Sequence, residues 1–501
     1  MEAAGQHTHR NTVAAGTTPK DPRVPVGEIE REIAAIWAEV LRLQHVARDQ
    51  NFFELGGDSQ STLETLLKIN ESLGTELTIA DVYGSPTIRD LARRIEEGPL
   101  KDRPVDLCTE AVLPNEILPL AGPVGATQRI LLTGGTGFVG RFLLTRLLRE
   151  TDARLYCLVR ACTEADAQAR LQEALVRWNL WDPGDRDRIV ALAGDLRRPR
   201  LGLTEDVYCT LAEQTDVIYH CATSMNHLES YAMARAANVD AARDVLRLAT
   251  LGRRKAVHYV STLGIFDAAN AGVERVVDEG TSIDFERHFQ SGGYLASKWV
   301  AEKLFFTAIT RGIPCNIFRL GLIWADSVEG RYDERQYEYR LLKSCLLSGC
   351  GIRGYRYVLP LTPVDYAAQA MSFLARAYPE GGGVFHISSG GPEVGEVFER
   401  LNDSGATGLK LLPFYEWTQE IKRLHLAGRT LPIVPVMEFA FSLEEHSFYD
   451  HPRVRAWHTR FDSSHTRREL ERAGIVSPQE TVDLPAQCMA AMRLWDADLK
   501  H

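Results

Sequence analysis

The sequence lacks the features of several protein classes. Among its 501 residues, no apolar run approaches the roughly 20 residues that a membrane-spanning helix needs, and residues 1–23 have no signal-peptide core. The nine cysteines are odd in number and form no C-x-x-C pair, which favours reduced thiols. The net charge of −10 indicates no basic face for nucleic acid. We therefore expect a cytoplasmic protein that binds neither membrane nor nucleic acid, and no histidine pair has the spacing that would predict a metal.

The clearest motif lies between Arg129 and Arg160. A short apolar strand at 130–132 is followed by a glycine-rich turn and then by leucines at helical spacing. The glycines of the turn stand at every third position: Gly134, Gly137 and Gly140. Such glycines allow a tight turn and let a pyrophosphate approach the N–H groups at a helix N-terminus. A glycine triplet alone could be an ordinary turn, but the strand before it and the helix after it favour a dinucleotide site.

The end of the second predicted strand, 155–159, indicates which dinucleotide binds. Sites for NAD place an acidic residue here for the ribose hydroxyls, whereas this chain has Arg160, with Arg170 further on. Two guanidinium groups suit a 2′-phosphate, so the sequence favours NADPH. The alternative is that both arginines are solvated surface charges that Glu164 and Asp166 neutralise.

Strands and helices then alternate, which predicts an α/β fold with a doubly wound, parallel Rossmann sheet. The further candidate strands are 189–193, 217–220, 256–261 and 316–320, and 231–248 is a candidate helix. Asp195 follows the third strand, where an acid can meet the adenine amino group. Ala222, Thr223 and Ser224 follow the fourth strand, and we expect them to lie along the cofactor at the carboxyl edge of the sheet.

Two later stretches carry candidate catalytic side chains. Thr262 follows the fifth strand, and Tyr294 and Lys298 are four residues apart on one face of a predicted helix. An ammonium group beside a phenol lowers the cost of the phenolate, so Tyr294 could donate a proton to a forming oxyanion. A Tyr-x-x-x-Lys pair arises readily by chance, and its value here comes from the glycine loop and the hydroxyl-bearing strand end that precede it.

A separate helical unit precedes the dinucleotide motif. Apolar residues recur at helical spacing in three stretches between residues 26 and 98. Thr87 and Asp90 have the spacing of a capping box at the start of the last stretch. Three such helices can enclose a small core.

Residues 52–59 of this unit read Phe-Phe-Glu-Leu-Gly-Gly-Asp-Ser. The octet resembles the motif of the peptidyl carrier (thiolation) domains of nonribosomal peptide synthetases. The resemblance implies that Ser59 carries a covalent 4′-phosphopantetheine arm, whose thiol holds an acyl or aminoacyl group as a thioester. The alternative is that Asp58 and Ser59 only cap a helix.

The second part of the chain resembles the extended short-chain dehydrogenase/reductases, and within them the thioester reductase domains that terminate peptide synthetases and carboxylic acid reductases. The supporting stretches include 158–161, 259–262, 293–304, 318–321 and 363–366. By position, the resemblance implies catalytic roles for Thr262, Tyr294 and Lys298. The cofactor contacts that it implies are Thr136, Gly137, Phe138, Val139, Arg160, Arg170, Asp195, Leu196, Ala222, Thr223 and Ser224.

These observations divide the chain into parts. We expect a disordered tail at 1–24, a carrier domain at 25–100, a linker at 101–127 and a reductase domain at 128–501. Within the reductase domain, the predicted Rossmann core covers about 128–325 and 361–390, and a smaller mixed substrate subdomain covers about 326–360 and 391–501. The many aromatic residues of that subdomain either cap the substrate cleft or form its core.

The predicted function is the NADPH-dependent reductive release of an acyl or aminoacyl thioester from the chain's own carrier, in natural-product biosynthesis. The product is an aldehyde, which a second reduction would convert to an alcohol. The carrier implies a phosphopantetheinyl transferase. Because no adenylation or condensation segment precedes it, we expect a separate enzyme to load the thioester-bound small-molecule substrate, unless the chain is a piece of a longer protein.

Two alternatives to this function are left open. One is an epimerase or reductase that acts on a nucleotide sugar and would have no use for a carrier at Ser59. The other is a noncatalytic carrier and docking protein, in which Thr262, Tyr294 and Lys298 would have no role.

Overall fold

The computed structural model describes most of the chain, as two compact units that divide between Asp102 and Arg103. The described residues are 24–41, 43–57, 59–75, 77, 79–97, 105–225, 230–269, 276–284, 293–355, 361–441, 444–448, 460–478 and 483–499. The predicted tail at 1–24 lies outside the described residues except for Val24.

The first unit is a small helical bundle, as the sequence predicts. Its described residues form one helix more than the three expected: α1 (Gly27–Val40), α2 (Ser59–Leu73), α3 (Ile79–Gly84) and α4 (Ile88–Glu97). The core contains Trp37 and Phe52, whose ring centroids are 4.8 Å apart in an edge-to-face arrangement. Thr87 caps α4 as predicted, because its Oγ1 accepts a hydrogen bond from the Asp90 N–H at 3.1 Å.

The structure divides the segment predicted as a linker, 101–127. Residues 101–104 lie outside the described residues, whereas 105–127 belong to the second unit and include a short helix, α5 (Leu107–Glu110). Leu113 and Ile117 are buried there, and Arg311 donates hydrogen bonds to both of their carbonyl groups, at 2.9 and 3.0 Å. Most of the segment is therefore docked, because its apolar residues lie in the core of the second unit.

The second unit is built on parallel strands. In chain order, the strands are β1 (Arg129–Thr133), β2 (Arg154–Arg160), β3 (Ile189–Gly194), β4 (Val217–His220), β5 (Ala256–Thr262), β6 (Val276–Val277), β7 (Cys315–Leu320), β8 (Ile323–Trp324), β9 (Cys350–Arg353), β10 (Thr362–Pro363), β11 (Val384–Ile387), β12 (Lys410–Pro413) and β13 (Arg460–Phe461). Within the described residues, seven of them form one parallel sheet in the order β11-β7-β5-β4-β1-β2-β3. The strand order reverses between β1 and β4, which is where ligands bind in sheets of this kind.

The helices of the second unit connect and cover these strands. They are α6 (Phe138–Glu150), α7 (Glu164–Val176), α8 (Glu205–Gln214), α9 (Tyr231–Arg235), α10 (Ala241–Ala249), α11 (Gly264–Ala269), α12 (Gly293–Thr310), α13 (Tyr337–Ser348), α14 (Val364–Ala377), α15 (Val394–Asp403), α16 (Phe414–Leu426), α17 (Val434–Phe441), α18 (Glu445–Phe448), α19 (Ser464–Arg472) and α20 (Leu484–Trp495). Among the described helices, none is long and apolar enough to cross a membrane.

Helices cover both faces of the sheet, as β1 illustrates. Ile130 and Leu132 belong to the cluster of buried residues that includes Leu144 of α6, whereas Leu131 belongs to the cluster that includes Val300 of α12. Successive strand residues face opposite sides, so a strand that is buried on both sides reads as a continuous apolar run. This is why the sequence predicts the strands of the sheet, apart from β11, close to their observed ends.

The aromatic residues of the carboxyl-terminal part are mainly core residues. Tyr332, Tyr355, Phe414 and Trp417 are buried in the same cluster as Ile130 of the sheet. Within the described residues, the predicted substrate subdomain thus shares a core with the Rossmann part, because these large rings pack directly against it.

Candidate active site

The glycine loop joins β1 to α6 in a conformation that requires glycine. Gly134 has a φ of +83°, and a Cβ atom on it would lie 2.7 Å from the Ala222 backbone nitrogen. A Cβ atom on Gly140 would overlap the Gly134 carbonyl oxygen, which also accepts a hydrogen bond from the Gly137 N–H at 2.8 Å. The loop therefore packs against itself and against the end of β4, and it leaves the N-terminus of α6 at the carboxyl edge of the sheet.

The other predicted residues of this loop are Thr136, Phe138 and Val139. They would contact a dinucleotide through backbone groups rather than side chains. Phe138 is buried against Trp178, with ring centroids 5.3 Å apart, so only its backbone can reach a dinucleotide. Thr136 and Val139 are half-buried, and the Thr136 carbonyl accepts a hydrogen bond from Arg141 at 3.1 Å. A pyrophosphate would thus meet mainly the N–H groups of the loop and of the first turn of α6.

The two predicted arginines lie at the edge of the sheet that also carries Asp195. Arg160 ends β2 and is paired in register with Gly194, the residue before Asp195. Both arginine side chains are exposed, and the Arg170 guanidinium donates a hydrogen bond to the Arg160 carbonyl. Asp166 is engaged in the cap of α7, and among the described residues neither arginine has an ion-pair partner. Two positive charges therefore stand where a 2′-phosphate would bind.

Asp195 and Leu196 follow β3 in a tightly held turn. The Asp195 N–H donates to the Leu201 carbonyl at 2.8 Å, and Asp195 Oδ1 accepts from the Arg197 N–H at 2.9 Å. Asp195 and Leu196 are both half-buried. The turn fixes both residues at the edge where the adenine of a dinucleotide would lie.

The end of β4 is tied to the end of β1. The Ala222 N–H donates to Thr133 Oγ1 at 3.1 Å, and Thr133 Oγ1 lies 2.9 Å from His220 Nδ1. Burial, and the nearby charge of Lys298, lower the pKa of His220 to about 3, so this imidazole is neutral at physiological pH. Ala222 is therefore fixed beside the glycine loop by neutral groups.

Asn238, which was not among the predicted site residues, holds Thr223 and Ser224 in place. Its Oδ1 accepts hydrogen bonds from the Thr223 hydroxyl at 2.9 Å and from the Ser224 N–H at 2.7 Å. Its Nδ2 donates to Ser297 Oγ on α12 at 2.8 Å. Asn238 lies in a π-helical turn, Ala236–Asp240, that interrupts the predicted helix, and a π-turn has no pattern of apolar spacing by which to find it. Asn238 thus links the end of β4 to the helix that carries the catalytic candidates.

Thr262 and Tyr294 lie together at the carboxyl edge of β5. The Thr262 side chain interacts with the Tyr294 hydroxyl, and Thr262 Oγ1 accepts a hydrogen bond from the Gly264 N–H at 3.1 Å. Burial raises the pKa of Tyr294 to about 12, against the lowering effect of Thr262. α12 begins close to α9, because Gly293 packs on the backbone of Ser230, where a Cβ atom would overlap.

Lys298 lies one turn further along α12 on the same face. Its ammonium nitrogen donates to the Val260 carbonyl at 2.6 Å and lies 4.2 Å from the centre of the Tyr259 ring. Burial lowers the pKa of Lys298 to about 7, against the raising effect of the Glu302 carboxylate. The structure thus collects the three predicted catalytic residues around the last residues of β5.

Glu302 and Arg319 were also not among the predicted residues. They form an ion pair in which both side chains are 0% exposed, with Arg319 Nη2 2.8 Å from Glu302 Oε1. The spacing of Tyr294, Lys298 and Glu302, four residues each, places them on one helix face and could have identified Glu302.

Three positions of the carrier motif have a structural explanation. Phe52 is fully buried, Gly56 has a φ of +98°, and a Cβ atom on Gly57 would collide with the Phe52 ring. Ser59 is the first residue of α2, and its side chain, like all of Asp58, lies outside the described residues.

A Rossmann sheet with a glycine loop at its switch point and a Thr, Tyr and Lys set at its edge is the architecture of a nicotinamide-dependent reductase. Comparisons with known proteins agree. Residues 132–371 match the NAD-binding family model described as "Male sterility protein", and residues 31–95 match the model described as "Phosphopantetheine attachment site".

The similar proteins are multidomain synthetases and their reductase domains. The chain is 32% identical over 417 residues to the isonitrile lipopeptide synthase of Streptomyces coeruleorubidus, covering 79% of this chain and 28% of that protein. It is 32% identical to the crystal structure of the terminal R domain from the myxalamid PKS-NRPS biosynthetic pathway, with a TM-score of 0.68, covering 78% of this chain and 97% of that one. A thiolation-reductase di-domain from an archaeal nonribosomal peptide synthetase shares the fold, with 20% identity and a TM-score of 0.65, over 94% of this chain and 98% of that one.

The chain belongs to the family of carrier–reductase proteins of nonribosomal peptide synthesis, with a phosphopantetheine-attachment domain followed by a terminal reductase domain. It spans less than half the length of the curated relatives it matches.

Proposed function

We propose that the chain catalyses the NADPH-dependent reductive release of an acyl or aminoacyl thioester carried on its own phosphopantetheine arm, giving an aldehyde. The observation that carries the proposal is the placement of the neighbouring side chains Thr262 and Tyr294 at the carboxyl edge of the sheet that holds the glycine loop. Family membership supports the class of reaction, and this pair offers the two hydroxyl donors that the reaction needs.

The reaction consumes one NADPH and one proton for each thioester, and it yields an aldehyde, a thiol and NADP⁺. When bound, NADPH supplies the hydride. As negative charge develops on the thioester oxygen, Thr262 and Tyr294 stabilise it by donating hydrogen bonds. Because burial raises the pKa of Tyr294 to about 12, the phenol stays protonated and able to donate at neutral pH.

Lys298 provides a positive charge close to this pair. Its pKa of about 7, lowered by burial, means that the ammonium form is lost as the pH rises through that value. An ammonium group near Tyr294 lowers the cost of negative charge on the phenol after it has given up its proton. We propose that Lys298 also donates a hydrogen bond to a ribose hydroxyl of the cofactor.

The choice of NADPH over NADH is assigned to Arg160 and Arg170. The exposed guanidinium groups stand at the end of β2 and on α7, where an acidic residue would serve NAD. The glycine loop and the first turn of α6 would hold the pyrophosphate, and Asp195 would meet the adenine. These residues fit a phosphorylated dinucleotide, because the cations lie at the 2′ position and the N–H groups at the pyrophosphate.

Ser59 is the proposed attachment point of the phosphopantetheine arm. A carrier of this kind depends on a phosphopantetheinyl transferase and on an enzyme that loads the acyl group, which we propose to be a separate protein. Because the carrier and the reductase belong to one chain, we expect a thioester on Ser59 to have a roughly millimolar effective concentration at the site.

The test compares tethered with free substrate. The protein is incubated with a phosphopantetheinyl transferase, an acyl-coenzyme A donor and NADPH, and the arm and the released aldehyde are followed by mass spectrometry. Wild type should release its own thioester, and Ser59→Ala should abolish this release while still reducing a soluble pantetheine thioester at high concentration.

Ser72→Ala on the same helix is the matched control, since its hydroxyl donates to Glu32 at 2.5 Å and has no place in the carrier motif. It should load and turn over like wild type. If Ser59→Ala reduced low micromolar soluble thioester as fast as loaded wild type releases its own, the carrier would have no part in the reaction.

A further inference from the structure

A row of buried polar side chains crosses three strands just below the active site. Ser261 of β5 is paired in register with Arg319 of β7, and Arg319 is paired with His386 of β11. The row lies one residue inside the carboxyl edge, directly beneath Thr262. Glu302 of α12 packs over it, and all four of these buried side chains are at most 3% exposed.

Hydrogen bonds connect the row without a break. The Ser261 hydroxyl donates to Glu302, and Arg319 Nε donates to the same carboxylate at 2.9 Å. Arg319 Nη1 lies 3.1 Å from His386 Nε2, and His386 Nδ1 lies 3.0 Å from the Asp462 carbonyl. A guanidinium can only donate, so Nε2 of His386 is the acceptor, and Nδ1 carries the proton that is donated to Asp462. Glu302 thus accepts hydrogen bonds from both Ser261 and Arg319.

One face of α12 meets the last residues of β5 at three successive turns. Tyr294 contacts Thr262, Lys298 donates to the Val260 carbonyl, and Glu302 accepts from Ser261. The four-residue interval keeps all three side chains over the same strand. Glu302 therefore contacts the residue directly before Thr262, from the same helix face that carries Tyr294 and Lys298.

A purely structural role explains this ion pair poorly. Desolvating two charges in a core costs about as much as their attraction returns, and apolar residues of similar volume often serve as well. Here Glu302 and Arg319 are both 0% exposed, and Arg319 also packs against an aromatic ring, with Phe266 4.9 Å from its guanidinium. An anion kept at such a position, next to Lys298, calls for a role in the chemistry.

We infer that Glu302, fixed by Arg319, is a positioning residue for the reductase site: it holds Ser261 so that Thr262 meets Tyr294, and its negative charge stabilises the Lys298 ammonium. This inference deepens the proposed function and rests on it. Glu302 itself is buried beneath the site and touches neither substrate nor cofactor.

The charges around Lys298 are consistent with this role. Glu302 on its own helix raises the pKa of Lys298 after burial has lowered it to about 7, and Cys221 beyond β4 acts in the same direction. The other titratable groups that face Lys298 are His220, which is neutral, and Tyr259, whose pKa burial raises well above its ordinary value. Glu302 is therefore the anion that keeps Lys298 charged near neutral pH.

The test is the pH dependence of kcat/KM for a soluble thioester in Glu302→Gln. Wild type should lose activity as the pH rises through about 7, where Lys298 loses its proton. Removing a nearby opposite charge lowers a lysine pKa, so the alkaline limb of the variant should move about one to three pH units lower. At pH 7 its kcat/KM should fall by roughly five- to five-hundredfold, the loss of protonated Lys298 that such a shift implies, and an alkaline limb unchanged from wild type would overturn the inference.

Glu150→Gln is the matched control. Glu150 forms an ion pair with Arg376 and accepts from Ser372, each at 2.6 Å, at the end of α6 remote from the carboxyl edge. Its loss should lower the melting temperature and leave the pH profile unchanged. If Glu302→Gln does not fold, the double variant Glu302→Leu with Arg319→Met removes both buried charges together, and it should show the same shifted limb. A wild-type limb in the folded double variant would contradict the role of the carboxylate.

A readout without turnover separates this inference from the proposed function. The protonation of Lys298 can be followed by NMR of isotope-labelled lysine, with Lys298→Met to assign the signal. A lower Lys298 pKa in Glu302→Gln would support the inference even if the wild type reduced no thioester, which would refute the proposed function alone. An unchanged Lys298 pKa would refute the inference while leaving thioester reduction intact.

Discussion

The two halves of the central sheet build their parts of the candidate site by different means. In the half formed by β1, β2 and β3, the candidate contacts are glycines, backbone N–H groups, Arg160 at the end of β2 and Arg170 on α7. In the half formed by β5, β7 and β11, the candidate catalytic residues lie next to buried side chains that hydrogen-bond to one another, from Ser261 to His386. Local backbone geometry positions the candidate residues of the first half. Contacts between side chains that are distant in sequence position those of the second half.

This difference has consequences for how each half responds to change. Exposed charges at the cofactor half can be removed singly with little effect on packing, so their loss should appear as loss of affinity. In the catalytic half each side chain supports the next, and a substitution there acts on rate through geometry as well as through its own chemistry. Substitutions in the two halves should therefore separate binding from turnover.

The largest effect is expected in the catalytic half. Tyr294→Phe keeps the ring that is buried at the start of α12 and removes the hydroxyl that interacts with Thr262. Turnover of a soluble thioester should fall by about two to four powers of ten, the usual worth of a positioned proton donor. NADPH affinity, measured by fluorescence titration, should stay within about threefold of wild type because the cofactor half is untouched.

Tyr378→Phe is the control for this change. Its hydroxyl lies 3.4 Å from Glu469, and its carbonyl accepts from Asn316 near the start of β7, at the opposite edge of the sheet. It should leave both turnover and NADPH affinity unchanged. A Tyr294→Phe variant with the turnover of wild type would remove this residue from the mechanism.

The strands and the glycine loop could be predicted from sequence more readily than the buried contacts between distant side chains. β4 has the predicted bounds, and β1, β2 and β3 lie within one residue of them, because strands buried on both faces are continuous apolar runs. The glycine loop was identifiable because its residues are consecutive and each conformational demand is met by glycine. Arg319 and Asn238 were not, since their roles depend on strand register and on one π-turn, whereas the four-residue spacing from Lys298 could have indicated Glu302.

The segment 105–127 also shows what could not be predicted from sequence. Its composition, rich in proline and mixed polar residues, is typical of a linker, yet Leu113 and Ile117 are buried and Arg311 binds their carbonyl groups. Two buried apolar side chains in an irregular stretch give no periodic signal. Only the partner surface, formed by residues far along the chain, reveals that the stretch is part of the domain.

An intermediate effect is expected in the cofactor half. Changing Arg160 and Arg170 together to Ala should weaken NADPH binding by about 2–4 kcal/mol through the loss of charge-assisted hydrogen bonds to the 2′-phosphate, and should leave NADH binding nearly unchanged. Arg154→Ala is the control, an exposed arginine at the other end of β2. Dissociation constants for both cofactors decide the matter, and an equal loss for NADPH and NADH would contradict the assignment.

The smallest effect is expected where the two halves meet. Asn238 accepts from Thr223 and Ser224 beyond β4 and donates to Ser297 on α12, so Asn238→Ala should loosen both the cofactor side and the catalytic side. Each neutral hydrogen bond contributes about 1 kcal/mol, and water can replace part of the loss, so about a tenfold decrease is expected in both turnover and NADPH affinity. If Asn238→Ala changed turnover alone or NADPH affinity alone, Asn238 would not connect the cofactor side with the catalytic side.

Asn316→Ala provides the comparison that isolates this link. Asn316 is equally buried and also makes two backbone hydrogen bonds, to the Tyr378 carbonyl at 2.8 Å and from the Gly383 N–H at 3.0 Å, but near the amino end of β7. Both variants should lose similar stability on thermal unfolding, since each leaves buried partners unsatisfied. Only Asn238→Ala should alter turnover and affinity together, because only Asn238 bonds to residues of both halves at the carboxyl edge.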